Sequence, residues 1–253
     1  MTFGAASGLW AGIYGLAGAI AGSFVAALVL RWLDDRSVLR GRSACDGCGA
    51  PLRPWELVPI LSALALRGRC ARCGTRIDPV HFRIESLAAL IGAAAGWVAG
   101  PDGWTGALFG WSLLALGALD AMALWLPDRL TAWLAGAGLL TGALGLAPSL
   151  GDRIVGGLAG FGTLWAIAAS YRRWRGREGM GGGDPKLMGA IGLWLGWRML
   201  PALLLAACVI GLGHVAFRRL SGKRIAGDDM VPLGLLLAIA AYPSWLLMIA
   251  SAP

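Results

Sequence analysis

Apolar residues dominate long runs of this chain, and its polar residues collect in short blocks between them. The runs fall at 8–30, 84–100, 105–126, 130–147, 153–170, 187–197 with its flanks, 199–217 and 231–250. A helix needs roughly 17 to 25 residues to cross hydrocarbon, and a backbone in lipid must satisfy its own hydrogen bonds, which a helix does internally. The pattern therefore predicts an all-α polytopic membrane bundle of about eight transmembrane helices, with the run at 187–197 the shortest. The first run has no basic residues ahead of it and several behind it. It is expected to be a membrane helix and not a cleaved signal peptide.

Composition agrees. Hydrophobic residues make up 57% of the 253 positions and charged ones 14%, against about 25% charged in an ordinary soluble domain, and the mean hydropathy is +0.68. The lipid bilayer is thus the first expected partner. The net charge of +8 is unevenly spread. Arg31, Arg36, Arg40, Arg42, Arg53, Arg67, Arg69, Arg72, Arg76 and Arg83 lie between the first two runs, Arg129 follows the third, and Arg172, Arg173, Arg175, Arg177 and Lys186 lie between the fifth and sixth. Arg218, Arg219, Lys223 and Arg224 precede the eighth, while only Arg153 and Arg198 fall on the other side of an eight-span thread. The positive-inside rule then places the long loops in the cytoplasm and both ends of the thread outside. Each of these arginines is expected to set topology or touch lipid headgroups. Such short membrane-flanking clusters, with no separate basic domain, exclude nucleic acid as a partner.

The longest inside loop, 31–83, is of another kind. It reads SACDGCGAPLRPWELVPILSALALRGRCARCGTRIDP and holds Cys45 and Cys48 in one Cys-x-x-Cys-Gly turn and Cys70 and Cys73 in a second, 21 residues on. Two such turns aimed at one point supply four thiolates for a closed tetrahedral zinc site, which organises a loop without offering an open position for water. The alternatives are two disulfides, which a reducing cytoplasm disfavours, and a redox pair, which lacks the accompanying βαβ pattern. Cys208, alone in a membrane run, is expected to be a small core residue.

With the metal closed to chemistry, the acids come forward, because a carboxylate at membrane depth is costly and functional by default. Neither His81 nor His214 has a serine or cysteine arrangement resembling a triad. Asp120 closes the third run about two helical turns before Pro127 and Asp128, and Asp184 opens the sixth run on the same side, behind Gly181, Gly182 and Gly183. Two carboxyl groups held about 3 Å apart share a proton, and such a pair can activate water and protonate a leaving amine. Asp184 followed by Pro185 also reads as a helix N-cap and first position, and Asp128 reads as a cap for the fourth run. The three glycines exceed what a cap needs, since they permit positive φ and close backbone approach.

These residues carry a resemblance. GMGGGDPKL is similar to the Gly-x-Gly-Asp signature of type IV prepilin peptidases, with Gly181, Gly183 and Asp184 at the fixed positions and Lys186 at the basic one. Asp120 with Leu126-Pro127-Asp128 resembles the second signature, and AGSF, CDGC, CARC, ELVPILSALALRGRC and VPLG follow in the family order over nearly the whole chain. The resemblance implies an inner-membrane aspartic endopeptidase with Asp120 and Asp184 as the catalytic pair, supported by Gly181, Gly183 and Lys186. It would cut the basic leader of type IV prepilins or type II secretion pseudopilins after glycine, on the cytoplasmic side. Family members with the long cysteine loop also N-methylate the new terminus with S-adenosylmethionine, and Glu56 is the candidate for binding that cofactor. The chain departs from the family pattern at Val25-Ala26 and Leu57, where asparagines are usual, and at Met122, where a second acid is common.

The expected organisation is a first transmembrane helix at 1–30, a cytoplasmic four-cysteine zinc loop at 31–83 and a transmembrane peptidase core at 84–253. A proton-coupled transporter using Asp120 and Asp184 is the alternative. It predicts a through-path and acids near the bilayer midplane.

Overall fold

The computed structural model describes residues 5–38, 42–222 and 231–251. Arg40, Lys223 and Arg224 of the basic clusters lie outside these. Among the described residues the chain is helical, with no β-strand beyond two isolated bridges, Ala44 to Pro51 and Arg69 to Arg76. The α-helices are α1 (Ala5–Leu33), α2 (Leu61–Ala65), α3 (Pro79–Ala99), α4 (Gly103–Ala123), α5 (Asp128–Ala143), α6 (Leu150–Arg175), α7 (Gly183–Leu195), α8 (Leu200–Leu220) and α9 (Leu233–Ala250). Each of the eight apolar runs lies on one of them, and α2 is a short extra turn in the cysteine loop. Among the described residues five stretches, and not the expected eight, are long and apolar enough to cross a membrane: Ala6–Leu33, Pro79–Ala123, Leu150–Arg175, Trp197–Leu220 and Leu233–Ala250. The second contains both α3 and α4, whereas α5 and α7 have only 16 and 13 residues.

The chain divides into two compact units, Met1–Ala115 and Leu116–Pro253. In the first, α1 and α3 pack along most of their length. The sequence makes this possible through small residues four apart, Gly18 and Gly22 on α1 and Gly92 and Gly96 on α3. A Cβ on Gly22 would stand 2.7 Å from the Glu85 Cα, and one on Gly18, Gly92 or Gly96 would run into the opposite backbone at Ala88, Tyr14 or Trp10. Without a hydrophobic drive between helices in lipid, such close backbone approach supplies the packing. The Trp111 indole N–H, near the middle of α4, donates to the Ala88 carbonyl of α3 at 2.9 Å.

In the second unit the short helix α7 is the centre. It touches α5, α6 and α9, and ten of its thirteen residues are buried. Gly156 and Gly160 on α6 face Gly192 and Met188 on α7 at a distance no side chain would allow, and the Trp194 indole donates to the Leu134 carbonyl of α5 at 2.8 Å. Large apolar side chains along the outer faces of α6 and α8, such as Leu158, Trp165, Leu205 and Leu212, are exposed. Exposed apolar faces on helices of this length suit lipid contact. Cys208 belongs to that exposed face, contrary to its expected place in the core. The packed stripe of α8 is Leu200, Leu203 and Ala207, and position 208 falls off it.

Arg153 also departs from expectation. It is 2% exposed, and its guanidinium donates to the carbonyls of Pro148, Gly138, Leu193, Leu146 and Ala147 at 2.8 to 3.3 Å. It therefore ties α5 and the turn that follows it to the C-terminal end of α7, where the last carbonyls, Leu193 among them, carry the negative pole of the helix. Replacing Arg153 by Met removes these donors, and each carbonyl left with no other donor costs roughly 1–3 kcal/mol where water cannot enter; Gly138 keeps another side-chain donor, the Thr141 hydroxyl. Arg153→Met is expected to lower the melting temperature in detergent by more than any exposed-arginine variant, such as Arg198→Met. Equal melting temperatures would refute this role.

Candidate functional site

Asp120 occupies the last turn of α4 and is 5% exposed; Asp184 is the second residue of α7 and is 7% exposed. They come from segments 64 residues apart, and Leu126 borders the backbone beside each: it lies against Gly234, whose missing Cβ leaves room for the Asp120 carboxylate, and against Gly183, the residue before Asp184. The chain leaves α4 through Leu124, whose φ is +51, a conformation uncommon for a residue with a side chain. The turn Leu124 to Pro127 then delivers Leu126 to the site.

The neighbours of each acid are backbone. The Asp120 Oδ2 accepts the Leu235 N–H at 2.9 Å, and the Gly234 N–H also points at this carboxylate. Both donors are in the first turn of α9, which Pro232 opens. Asp184 receives the Gly181 N–H. Sequence reasoning placed VPLG in a family order without giving it a task. The usable signal was a glycine immediately inside a helix that begins with proline.

Asp184 is not the cap of α7. The capping position is Gly182, and no side chain caps the helix. Asp128 does not cap α5 either: it is the first residue of that helix, after Pro127, and makes no capping bond. Its carboxylate accepts instead from Lys186 Nζ at 2.7 Å. Lys186 is thus turned toward α5, two residues beyond Asp184.

None of the three glycines has a positive φ, so of the two reasons expected for them only close approach remains. What they meet differs. A Cβ on Gly182 would have nothing within 4 Å, one on Gly181 would stand 3.2 Å from the Asp184 Oδ2, and one on Gly183 would stand 2.8 Å from the Leu126 Cβ and 3.3 Å from its Cδ1. The glycine at 183 is needed because Leu126 is already there.

In the first unit the four cysteines of the loop converge. Their sulfurs all lie within 4.8 Å of one another, with Cys45 and Cys73 at 3.7 Å. The two turns are copies. In each, the glycine N–H donates to the first cysteine carbonyl, Gly49 to Cys45 at 2.8 Å and Gly74 to Cys70 at 3.0 Å. Here positive φ is required, +68 at Gly49 and +72 at Gly74. Hydrogen bonds from Thr75 pull the Cys73 thiol down to about 6, toward the thiolate a metal needs. The cluster could hold a metal ion.

Glu56 closes its own turn, accepting the Arg53 N–H at 2.6 Å. Beside it the Arg53 guanidinium lies 5.3 Å from the centre of the exposed Trp55 ring. Glu85, buried at the start of α3, accepts the Ile60 N–H at 2.8 Å and holds that residue at a φ of +62.

Comparison with known proteins adds to this geometry. Residues 16–99 match the bacterial peptidase A24 N-terminal domain, and residues 107–216 match the type IV leader peptidase family. The chain is 43% identical over 201 residues to a prepilin leader peptidase/N-methyltransferase of Burkholderia pseudomallei strain 1026b, covering 78% of this chain and 64% of that protein. It is 38% identical over 207 residues to the protein of that name from Aeromonas hydrophila, covering 79% and 70% respectively. For the Pseudomonas aeruginosa protein of that name the identity is 36% over 204 residues, covering 79% and 69%. The chain thus spans just under two thirds of the length of the Burkholderia relative. No solved structure matches it.

Proposed function

The chain belongs to the type IV leader peptidase family, and from that premise we propose that it is an inner-membrane aspartic endopeptidase. It removes the basic leader of type IV prepilins or type II secretion pseudopilins after glycine, on the cytoplasmic side. The observation that carries the proposal is the pair of buried carboxylates, Asp120 in the last turn of α4 and Asp184 at the start of α7, with Leu126 packed against the glycines beside both, inside a bundle that is otherwise mostly apolar. A carboxyl pair that holds one proton can take a proton from water and return one to the leaving amine. In two carboxyl groups that share a proton, the acid and base roles belong to the pair and not to either member. The backbone N–H groups of Gly181, Gly234 and Leu235 hold the carboxylates in place for this work. Gly183 and Lys186 support the site by admitting Leu126 and by pairing with Asp128. Nothing among the relatives favours the transporter reading.

The four-cysteine cluster is proposed to hold structural zinc. Tetrahedral zinc with sulfur at about 2.3 Å sets its ligands about 3.8 Å apart, and the Cys45 and Cys73 sulfurs stand at 3.7 Å. Four sulfurs close the coordination sphere, so the metal orders the loop at 31–83 and supplies no hydrolytic water. Protein purified without chelator is expected to contain about one zinc per chain. Cys45→Ser and Cys70→Ser should each lower that content, measured by metal analysis. Unchanged zinc in both variants would rule out the site.

The relatives' name includes methyl transfer, and N-methylation of the new terminus with S-adenosylmethionine is the second half of the proposal. Glu56 is the residue proposed to bind that cofactor: one of its oxygens accepts the Arg53 N–H at 2.6 Å, and a carboxylate has a second oxygen to offer a ligand. No step of the peptidase chemistry depends on that cofactor. Incubating the purified protein with a prepilin and weighing the products tests both halves separately.

A further inference from the structure

The first turn of α9 offers no reactive side chain, yet its backbone reaches one member of the catalytic pair directly. Its Leu235 N–H donates to Asp120 Oδ2 at 2.9 Å, with the Gly234 N–H beside it. These are two of the unpaired donors that open every helix, at its positive end. Glycine inside a helix costs about 1 kcal/mol relative to alanine, so its presence at 234 asks for a reason. A Cβ there would stand 2.9 Å from Asp120 Oδ2, 3.1 Å from Asp120 Cγ and 3.0 Å from Leu126 Cδ1. The carboxylate itself fills the space a side chain would take.

We propose that Gly234 is a positioning residue for the hydrolysis: its missing side chain lets the α9 backbone seat one oxygen of Asp120, which fixes that carboxyl opposite Asp184. A carboxylate has two oxygens, and anchoring one by backbone donors holds the group in a single rotamer with the other left for the reaction. Leu126 completes the arrangement, since its side chain lies against both Gly234 and Gly183. The inference rests on the reading of Asp120 and Asp184 as the hydrolytic pair.

The test compares Gly234→Ala, Leu126→Ala, the double variant and Asp120→Asn in cleavage of a prepilin peptide, each checked for monodisperse elution in detergent. A displacement approaching 1 Å reduces rate by about 100-fold. Gly234→Ala is expected to lower kcat by at least about tenfold with KM unchanged, the mark of a group acting in the transition state. The loss is expected to persist in the double variant relative to Leu126→Ala, because removing the leucine leaves the clash with Asp120. Wild-type kcat in Gly234→Ala overturns the role, as does recovery in the double variant, which would assign the effect to Leu126 crowding. Failure of both Gly234→Ala forms to insert overturns it as well, in favour of packing. Activity in Asp120→Asn would instead overturn the catalytic pair, so the two failures are told apart.

Discussion

Asp120→Asn and Asp184→Asn are each expected to give an inserted, folded protein that releases no detectable mature pilin, a loss on the order of 1,000-fold or more. Positioned acid–base groups contribute about 100- to 10,000-fold, and a two-member pair fails when either member stops exchanging protons. Amide replacement keeps the shape of the side chain, so the Leu235 N–H retains an oxygen acceptor at residue 120 and the last turn of α4 is preserved. Folding should therefore survive while chemistry does not, and the check is product yield against elution profile for the same preparation. Full activity in either variant would remove the assignment. Asp128→Asn is the control. Its ion pair with Lys186 is solvent-exposed, at 71% and 49% side-chain accessibility, and such pairs are worth at most about 1 kcal/mol. Substantial cleavage is expected to remain.

Gly183→Ala is expected to express and insert normally yet process prepilin about 100-fold more slowly. Its new Cβ would meet the Leu126 Cβ at 2.8 Å, and a Cβ, unlike the far end of a flexible side chain, cannot swing aside. Either Leu126 or the start of α7 must move, and Asp184 is the next residue. A shift near 1 Å at a reacting group costs about two orders of magnitude. Gly182→Ala provides the contrast, because its Cβ would enter open space and its φ of −64 suits any residue. That variant should turn over at close to the wild-type rate. Equal activities for the two alanine variants would show that Leu126 does not set the position of Asp184.

The eight apolar runs led to helices because their length and composition leave a membrane chain few other options, and the two Cys-x-x-Cys-Gly turns were legible because the spacing itself builds the turn. The acids could be named from their isolation in apolar surroundings. Their supports could not. The Leu235 N–H reaches Asp120 across 115 residues of sequence, and no periodicity records such a partner. The glycines before Asp184 were visible, but of the two reasons expected for them positive φ is absent, and the close approach at Gly183 is to Leu126, more than fifty residues away, which local sequence could not name. Arg153 read as a topology signal because sequence shows its charge and not the five carbonyls gathered around it. Asp128 read as a cap for a similar reason, since Lys186 is a partner only in three dimensions.

The most direct test of the account is the mass of the products formed when a full-length prepilin, held in detergent, is incubated with the purified wild-type protein and with an Asp120→Asn/Asp184→Asn double variant. The account predicts that the wild type yields two fragments whose masses place the cut after the leader glycine, and that the double variant yields none. Identical fragments from both proteins, or intact prepilin from both, would contradict it.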